Sequence, residues 1–233
     1  MPTETVILSR RLIMVLVREV WRGKSIARTL MNQAVSELTA SGAILDLGSK
    51  SDEASYNRFL KLTDRTDGTN RTNVTYTDIS GDGKNVVRLD LEEPFPLDDS
   101  MYDTVTCFNT LEHIYNYQNV VSESYRILKS GGLFIGGTPF LVNFHPDPHD
   151  YFRYTDEAIE KIFVEAGFAP ERMVMLGFGP MTAGAALILH VFPGFLRPLM
   201  ALAAVCVDAV ILKYKTSQRM KYALGYVYVF RKL

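Results

Sequence analysis

Ile44-Leu45-Asp46-Leu47-Gly48 decides the fold: a short apolar run that finishes in a carboxylate and a glycine. Three further runs end in the same way. Val74-Thr75-Tyr76-Thr77 leads to Asp78, Val86-Val87-Arg88-Leu89 to Asp90, and Val105-Thr106-Cys107-Phe108 through Leu111 to Glu112. In an open parallel sheet a ligand lies beyond the carboxyl ends of the strands, so acids placed where apolar runs stop would line one crevice.

Working outward, Leu12 to Val20 and then Ile26, Leu30, Ala34 and Leu38 recur at helical spacing, with Ser25 as an N-cap and Ser41-Gly42 as a stop. A short helix is expected around Ser55 to Leu62, followed by a polar loop from Thr63 to Asn73. Val86 to Leu91 and Thr104 to Phe108 read as buried strands. A helix follows from Asn119 to Leu128, stopped by Gly131-Gly132, and another strand begins at Leu133. Thr155 caps a helix whose first turn carries Asp156 and Glu157 and which Gly167 closes. Arg172 to Leu176 and Tyr222 to Phe230 supply late strands. Such alternation predicts a doubly wound, Rossmann-like α/β sandwich. Residues 1–42 form an N-terminal helical segment and 43–233 the main domain, with an apolar helical insertion at about 181–215 before the last strand.

The 233 residues carry 25 Lys and Arg against 26 Asp and Glu, a net charge of −1 that gives no reason to expect a nucleic-acid partner. Both ends are basic, with Arg10, Arg11, Arg18, Arg22, Lys24 and Arg28 at one and Lys213, Lys215, Arg219, Lys221, Arg231 and Lys232 at the other. Cys107 and Cys206 have neither metal nor redox spacing. The apolar run after Arg10-Arg11 is interrupted by Arg18 and Glu19 before it reaches signal-peptide length, so a cytoplasmic location is expected.

A dinucleotide site needs a glycine-rich turn that lets the backbone approach a pyrophosphate. Here Gly48 is followed by Ser49-Lys50-Ser51-Asp52, which would crowd and repel one. S-adenosylmethionine carries a cationic sulfonium and no phosphate, so an acid-lined crevice suits it, and methyl transfer is favoured over hydride transfer.

Taken with Leu89-Asp90-Leu91-Glu92-Glu93-Pro94-Phe95-Pro96-Leu97, Tyr102-Asp103, Asn109-Thr110-Leu111-Glu112-His113, Leu128-Lys129-Ser130-Gly131-Gly132 and the run His145 to Thr155, the chain resembles the class I S-adenosylmethionine-dependent methyltransferases. Among these it looks like the type 11 branch found in bacterial surface-glycan gene clusters, from about Ala43 to Phe168. The resemblance implies that Asp46 and Gly48 hold the methionine portion of S-adenosyl-L-methionine, Asp78 its ribose hydroxyls and Asp90 its adenine amino group. It also implies Leu91 beside the adenine ring, with Phe108 and Asn109 flanking the sulfonium. The chain departs from the family pattern at Lys50 and Asp52, where the family has glycines.

The run His145-Pro146-Asp147-Pro148-His149-Asp150-Tyr151-Phe152-Arg153-Tyr154 should cover the acceptor side of the crevice. If a hydroxyl must lose its proton, His149 is the first candidate base and His113 the second, because an imidazole titrates near neutrality. His145 is assigned to pinning the loop. His145, Asp147, His149 and Asp150 match no standard ligand spacing, so no metal is expected. From Thr182 to Leu212 the chain is nearly all apolar, but Pro193, Arg197, Pro198 and Asp208 interrupt it below the ~20 residues of a membrane span. Short helices there would pair with a second copy in a homodimer, shield the acceptor pocket, or make peripheral contact with the inner membrane surface. The expected activity is O-methylation of a saccharide or glycan intermediate. The rivals are a methyltransferase for a hydrophobic small molecule such as a quinone or lipid, and a non-catalytic binding protein of the same fold.

Overall fold

The computed structural model describes residues 1–49, 56–63, 73–81, 86–215 and 221–233. Lys50, Asp52, the expected helix start at Ser55 and most of the expected polar loop after Thr63 lie outside these residues. In chain order the elements begin with β1 (Glu4–Thr5), α1 (Arg10–Trp21), α2 (Ile26–Val35), β2 (Thr39–Ser41), β3 (Ala43–Leu47), β4 (Lys61–Thr63), β5 (Asn73–Asp78) and β6 (Val86–Arg88). They continue with β7 (Tyr102–Phe108), α3 (Tyr117–Ile127), β8 (Leu128–Pro139), α4 (Asp156–Glu165), β9 (Phe168–Leu176), α5 (Pro180–Ile188), α6 (Arg197–Tyr214) and β10 (Gly225–Lys232). Short 3₁₀ turns stand at Tyr56–Phe59, Leu111–His113 and Leu189–Val191.

Eight strands form one sheet in the order β1-β9-β10-β8-β7-β3-β5-β6, and β2 pairs with β4 separately. Every pairing from β8 to β6 is parallel, whereas β10 runs antiparallel to both β8 and β9. Strands of this kind are covered on both faces, which explains the unbroken apolar runs. On β3 the pleat is visible directly: Ile44 joins one apolar cluster while Leu45 and Leu47 join the other. The first cluster gathers α1, α2, α5 and α6, and the second gathers α3 and α4. The result is the expected doubly wound sandwich, and α1 and α2 share a core with the sheet and with the apolar insertion.

Several boundaries move for local reasons. Ser25 caps α2 as expected, its Oγ accepting from Arg28 N at 3.1 Å. The helix nevertheless stops at Val35, where the Ser36 hydroxyl donates to the Gln33 carbonyl at 2.7 Å and Thr39–Ser41 leaves to pair with β4. Only Tyr56–Phe59 of the expected short helix is helical, and Lys61–Thr63 is a strand. β6 ends at Arg88, three residues early: Leu89 N–H makes a last bond to the Asp78 carbonyl, and Asp90, accepting from Glu92 N, then turns the chain.

The insertion forms two helices. No helix among the described residues is long and apolar enough to cross a membrane. Asp208, embedded in α6 and fully buried, accepts from Met181 N at 3.0 Å and Thr182 N at 2.7 Å. A carboxylate borrowed from α6 therefore caps the first turn of α5, offsetting the unpaired N–H groups of that helix end.

Candidate active site

Asp46 lies near the end of β3, completely buried, with its Oδ1 accepting from Thr106 Oγ1 on β7 at 3.0 Å. Two residues on, Gly48 turns at φ +80°, a left-handed conformation that glycine adopts without penalty. Its N–H donates to Thr77 Oγ1 at 3.2 Å, and that hydroxyl donates to the Asp46 carbonyl at 3.0 Å. A Cβ at Gly48 would sit 2.7 Å from Thr110 Cγ2, so the turn has no room for a side chain. Asp78 ends β5, nearly buried, and its Oδ1 accepts from Ser80 N at 2.9 Å. Asp90 is exposed beyond β6, with Oδ1 accepting from Glu92 N at 3.0 Å, and Leu91 beside it is buried.

Because β6, β5, β3 and β7 are successive neighbours, Asp90, Asp78 and Asp46 fall in a row along the carboxyl edge of the sheet. From β3 the chain builds outward through β5 to β6 and then crosses back to β7 on the other side of β3, which makes this edge a topological switch point. Glu92 fixes the far end of the row. Its carboxylate accepts from Tyr115 N and Asn116 N, both at 2.8 Å, and Asn119 Nδ2 donates to the Leu91 carbonyl at 3.0 Å.

At the near end Phe108 is buried with its ring 5.3 Å from that of Tyr56. Asn109 has φ +49°, uncommon outside glycine but tolerated by asparagine. Its N–H donates to the Gly137 carbonyl at 2.8 Å and its Nδ2 to Tyr56 Oη at 2.9 Å. Beyond it opens a cavity of about 380 Å³ whose polar lining includes Arg28, Tyr56, Asn109, Asn143, His145 and His190. Arg28 stacks over the Tyr56 ring at 5.0 Å. Burial pushes the Tyr56 phenol above its ordinary range, and Arg28 opposes part of that. Asn143 Nδ2 donates to the Leu187 carbonyl at 3.0 Å, tying the histidine-rich loop to α5, and Ala186 of α5 completes the wall.

The loop is pinned by Asp150. Its Oδ2 accepts from Arg153 Nη2 at 2.6 Å and from the His145 backbone N–H at 3.0 Å, and Arg153 holds its carboxyl well below the usual carboxylate range. Tyr151 N and Phe152 N donate to the Glu112 carbonyl at 2.9 and 3.2 Å. Glu112 itself turns inward and is 0% exposed, with His113 Nε2 3.7 Å and His145 Nε2 3.9 Å from its Oε1. These separations are Coulombic contacts rather than hydrogen bonds. The Glu112 carboxylate, aided by the Asn143 carbonyl and Asp150, holds the His145 imidazole above its ordinary range against the opposing effect of burial.

Asp46, Gly48, Asp78, Asp90 and Leu91 thus assemble along one edge, with Phe108 and Asn109 at its junction with the cavity. His113 stands half-buried beside Glu112. His149 is exposed, its ring 5.2 Å from Tyr151, and its carbonyl accepts from His113 Nδ1. The histidine that reaches the cavity is His145, so the residue read as a pin also contributes a wall. Arg28, Tyr56 and His190 escape a reading by strand ends. His190 left a signal all the same, as the only ionisable residue between Thr182 and Pro193.

Residues 63–136 match the methyltransferase domain family. A probable S-adenosylmethionine-dependent methyltransferase of Mycolicibacterium smegmatis is 39% identical over 51 residues, 22% of this chain and 20% of that protein. Another from Mycobacterium tuberculosis is 29% identical over 101 residues, 41% of this chain and 36% of that protein. The chain therefore matches well under half the length of either relative. A solved S-adenosylmethionine-dependent methyltransferase from Mesorhizobium loti superposes with a TM-score of 0.53 over 91% of this chain and 100% of its own, at 13% identity, which is a likeness of fold. With the matched segment running through the central strands of a sheet in this order, residues 63–136 resemble the methyltransferase domain family and the whole chain has the fold of S-adenosylmethionine-dependent methyltransferases.

Proposed function

We propose that the protein transfers the methyl group of S-adenosyl-L-methionine to a hydroxyl of a saccharide or glycan intermediate held in the cavity beyond Asn109. The donor set fits the cofactor. Carboxylates accept from hydroxyls and exocyclic amines and lower the potential around a cation, and the side-chain-free turn at Gly48 leaves its backbone open to a ligand. Asp46 and Gly48 would hold the methionine portion, Asp78 the ribose hydroxyls, and Asp90 with Leu91 the adenine. Bound there, the cofactor supplies a methyl group on a cationic sulfur.

This chain's residues then have two tasks. Phe108 and Asn109 bound the passage between the cofactor edge and the cavity, and the strained Asn109 backbone sets where its amide stands. Tyr56, Asn143, His145 and His190 orient the acceptor, while Glu112, His113 and His145 form the group at which its hydroxyl is relieved of a proton. Most of the gain comes from positioning. The observation that supports the saccharide reading is the set of six hydrogen-bonding side chains placed among the mainly apolar walls of the cavity, where they can engage the hydroxyls of a polyol.

A lipid-linked acceptor suits the outer surface of the same face. Exposed Met14 and Trp21 on α1 and Leu199 and Val210 on α6 stand near Arg10, Arg11, Arg18, Arg22 and Lys24, a combination that favours an anionic membrane surface. An apolar depression of about 480 Å³ between α5 and α6 supports the second reading, a quinone or lipid acceptor.

Calorimetric titration of the chain with S-adenosyl-L-methionine tests the cofactor assignment; no heat at millimolar cofactor rejects both enzyme readings and leaves a non-catalytic binding protein. Labelled methyl recovered in extracted saccharide rather than in lipid supports the first acceptor, and the reverse partition supports the second.

A further inference from the structure

Glu112 presents a problem that the fold does not solve. Its carboxylate is wholly buried, and neither oxygen has a hydrogen-bond donor within reach. A charge in that position is costly unless a cation faces it. The nearest groups are two imidazoles, both turned so that Nε2 points toward Glu112 Oε1, at 3.7 Å for His113 and 3.9 Å for His145.

The opposite nitrogen of each ring shows which tautomer is held. His113 Nδ1 meets the His149 carbonyl, and His145 Nδ1 meets the Asn143 carbonyl at 2.8 Å, with Asp150 Oδ2 on the same side at 3.6 Å. Carbonyl and carboxylate oxygens only accept, so each Nδ1 carries the hydrogen; the Arg153 guanidinium, 3.5 Å from His145 Nδ1, is farther and already engaged by Asp150. In the neutral rings each Nε2 is then a lone pair. With both rings neutral, two nitrogen lone pairs and a carboxylate oxygen converge on one point, an arrangement that a shared cation satisfies.

We propose that Glu112, His113 and His145 bind a divalent first-row transition ion on the acceptor side of the crevice. Their ligand atoms all lie within 4.8 Å of one another. Bonds of about 2.0–2.2 Å to nitrogen and oxygen put neighbouring ligand atoms about 3–3.7 Å apart, so small side-chain movements close the site. The outer contacts are those expected of metal ligands: each imidazole gives its second nitrogen to a backbone carbonyl, which fixes the ring and raises its basicity. The two supporting segments are already locked together, since Tyr151 N and Phe152 N bond the Glu112 carbonyl and Asp150 bonds the His145 backbone. Two imidazoles and one carboxylate suit Mn²⁺, Fe²⁺, Co²⁺ or Zn²⁺ better than Mg²⁺ or Ca²⁺, which prefer oxygen alone.

Three protein ligands leave coordination positions open, and His145 is shared with the cavity wall. A hydroxyl of the acceptor would take one of them, be held in place, and give up its proton to solvent more readily. That part rests on the methyltransferase reading; the binding of the ion does not.

The test is titration of the chelator-stripped, dialysed full chain with Co²⁺, followed by visible absorption, and with Mn²⁺ and Mg²⁺ by calorimetry. Saturable uptake of one Co²⁺ or Mn²⁺ per chain at micromolar concentration, with Mg²⁺ at least tenfold weaker, is the expected result. His145→Ala, at a half-exposed position that folding tolerates, and the near-isosteric Glu112→Gln should each weaken Mn²⁺ by tenfold or more and abolish the Co²⁺ band. Neither should change the calorimetric affinity for S-adenosyl-L-methionine by more than about twofold. No saturable uptake by the unmodified chain overturns the proposal, as does uptake that survives both substitutions. Metal uptake in a chain that binds no S-adenosyl-L-methionine would retain the site and reject the methyltransferase reading instead.

Discussion

The acidic strand edge proposed for the cofactor and the cavity proposed for the acceptor are neighbouring regions of the molecule but are built in opposite ways. At the edge, each functional residue stands at the end of its own strand, and the strand holds it there: Asp46 on β3, Asp78 on β5 and Asp90 just past β6. Of its six hydrogen-bonding residues named above, the cavity takes one from α2, one from a 3₁₀ turn, one from just past β7, two from the loop after β8 and one from the turn after α5. The first region inherits its geometry from the sheet. The second depends on long-range ties, such as Asn143 to Leu187 and Asp208 to the first turn of α5. Damage to the edge should therefore abolish a single function sharply, while damage to the cavity wall should spread into stability.

The largest effect is expected at Gly48. Gly48→Val puts a branched side chain into Thr110 on a backbone with φ +80°, and should reduce affinity for S-adenosyl-L-methionine by more than a hundredfold by calorimetry. Tight binding by that variant would break the comparison outright. Next, Asp78→Ala removes an acceptor of charge-assisted hydrogen bonds worth about 1.5–3 kcal/mol, roughly ten- to a hundredfold in cofactor affinity. An unchanged Kd refutes the ribose assignment.

Asp208→Ala sharpens the other side. It leaves two N–H groups of α5 without this partner, the one at Thr182 buried and the one at Met181 partly so, at about 1–3 kcal/mol, and should lower Tm by roughly 2–10 °C in scanning calorimetry. The acceptor KM should rise while cofactor affinity holds; a loss of cofactor affinity would show that the two regions are not separable. Smallest is the acid response of Glu19, a carboxylate in α1 ringed by Lys24, Arg18 and Arg22, whose cations hold its pKa below the ordinary 4.5. Its contribution is present above pH 4.5 and fades as pH falls toward the lower folded value. The urea midpoint of Glu19→Gln should therefore lie below that of the parent chain at pH 7 and approach it as the pH is lowered below 4.5. A gap of constant size rejects the assignment.

What the sequence discloses follows the same division. Acid-tipped apolar runs report strand ends because burial on both faces demands continuous apolar residues and the turn beyond demands polar ones, so β3, β5 and β7 are legible one at a time. The cavity is not. Nothing local to Arg28, Tyr56 or His190 says that they meet, and Glu112, the fourth acid of the row by spacing, turns inward because a 3₁₀ turn rather than a strand carries it. Asp208 reads as a break in an apolar segment; its role as a cap 26 positions away is visible only once α5 and α6 are folded together.

The placement of β10 has a consequence for how the chain reaches this state. β8 and β9 are joined in the sheet only through β10, the last of the strands to be synthesised. Until residues 225–232 arrive, β8 and β9 present open edges to solvent and to other chains. Closure then pairs segments about ninety positions apart on one side, a non-local event that slows folding. During synthesis the nascent chain must carry an unfinished sheet, and any pause before residue 225 prolongs the interval in which it can aggregate or recruit a chaperone.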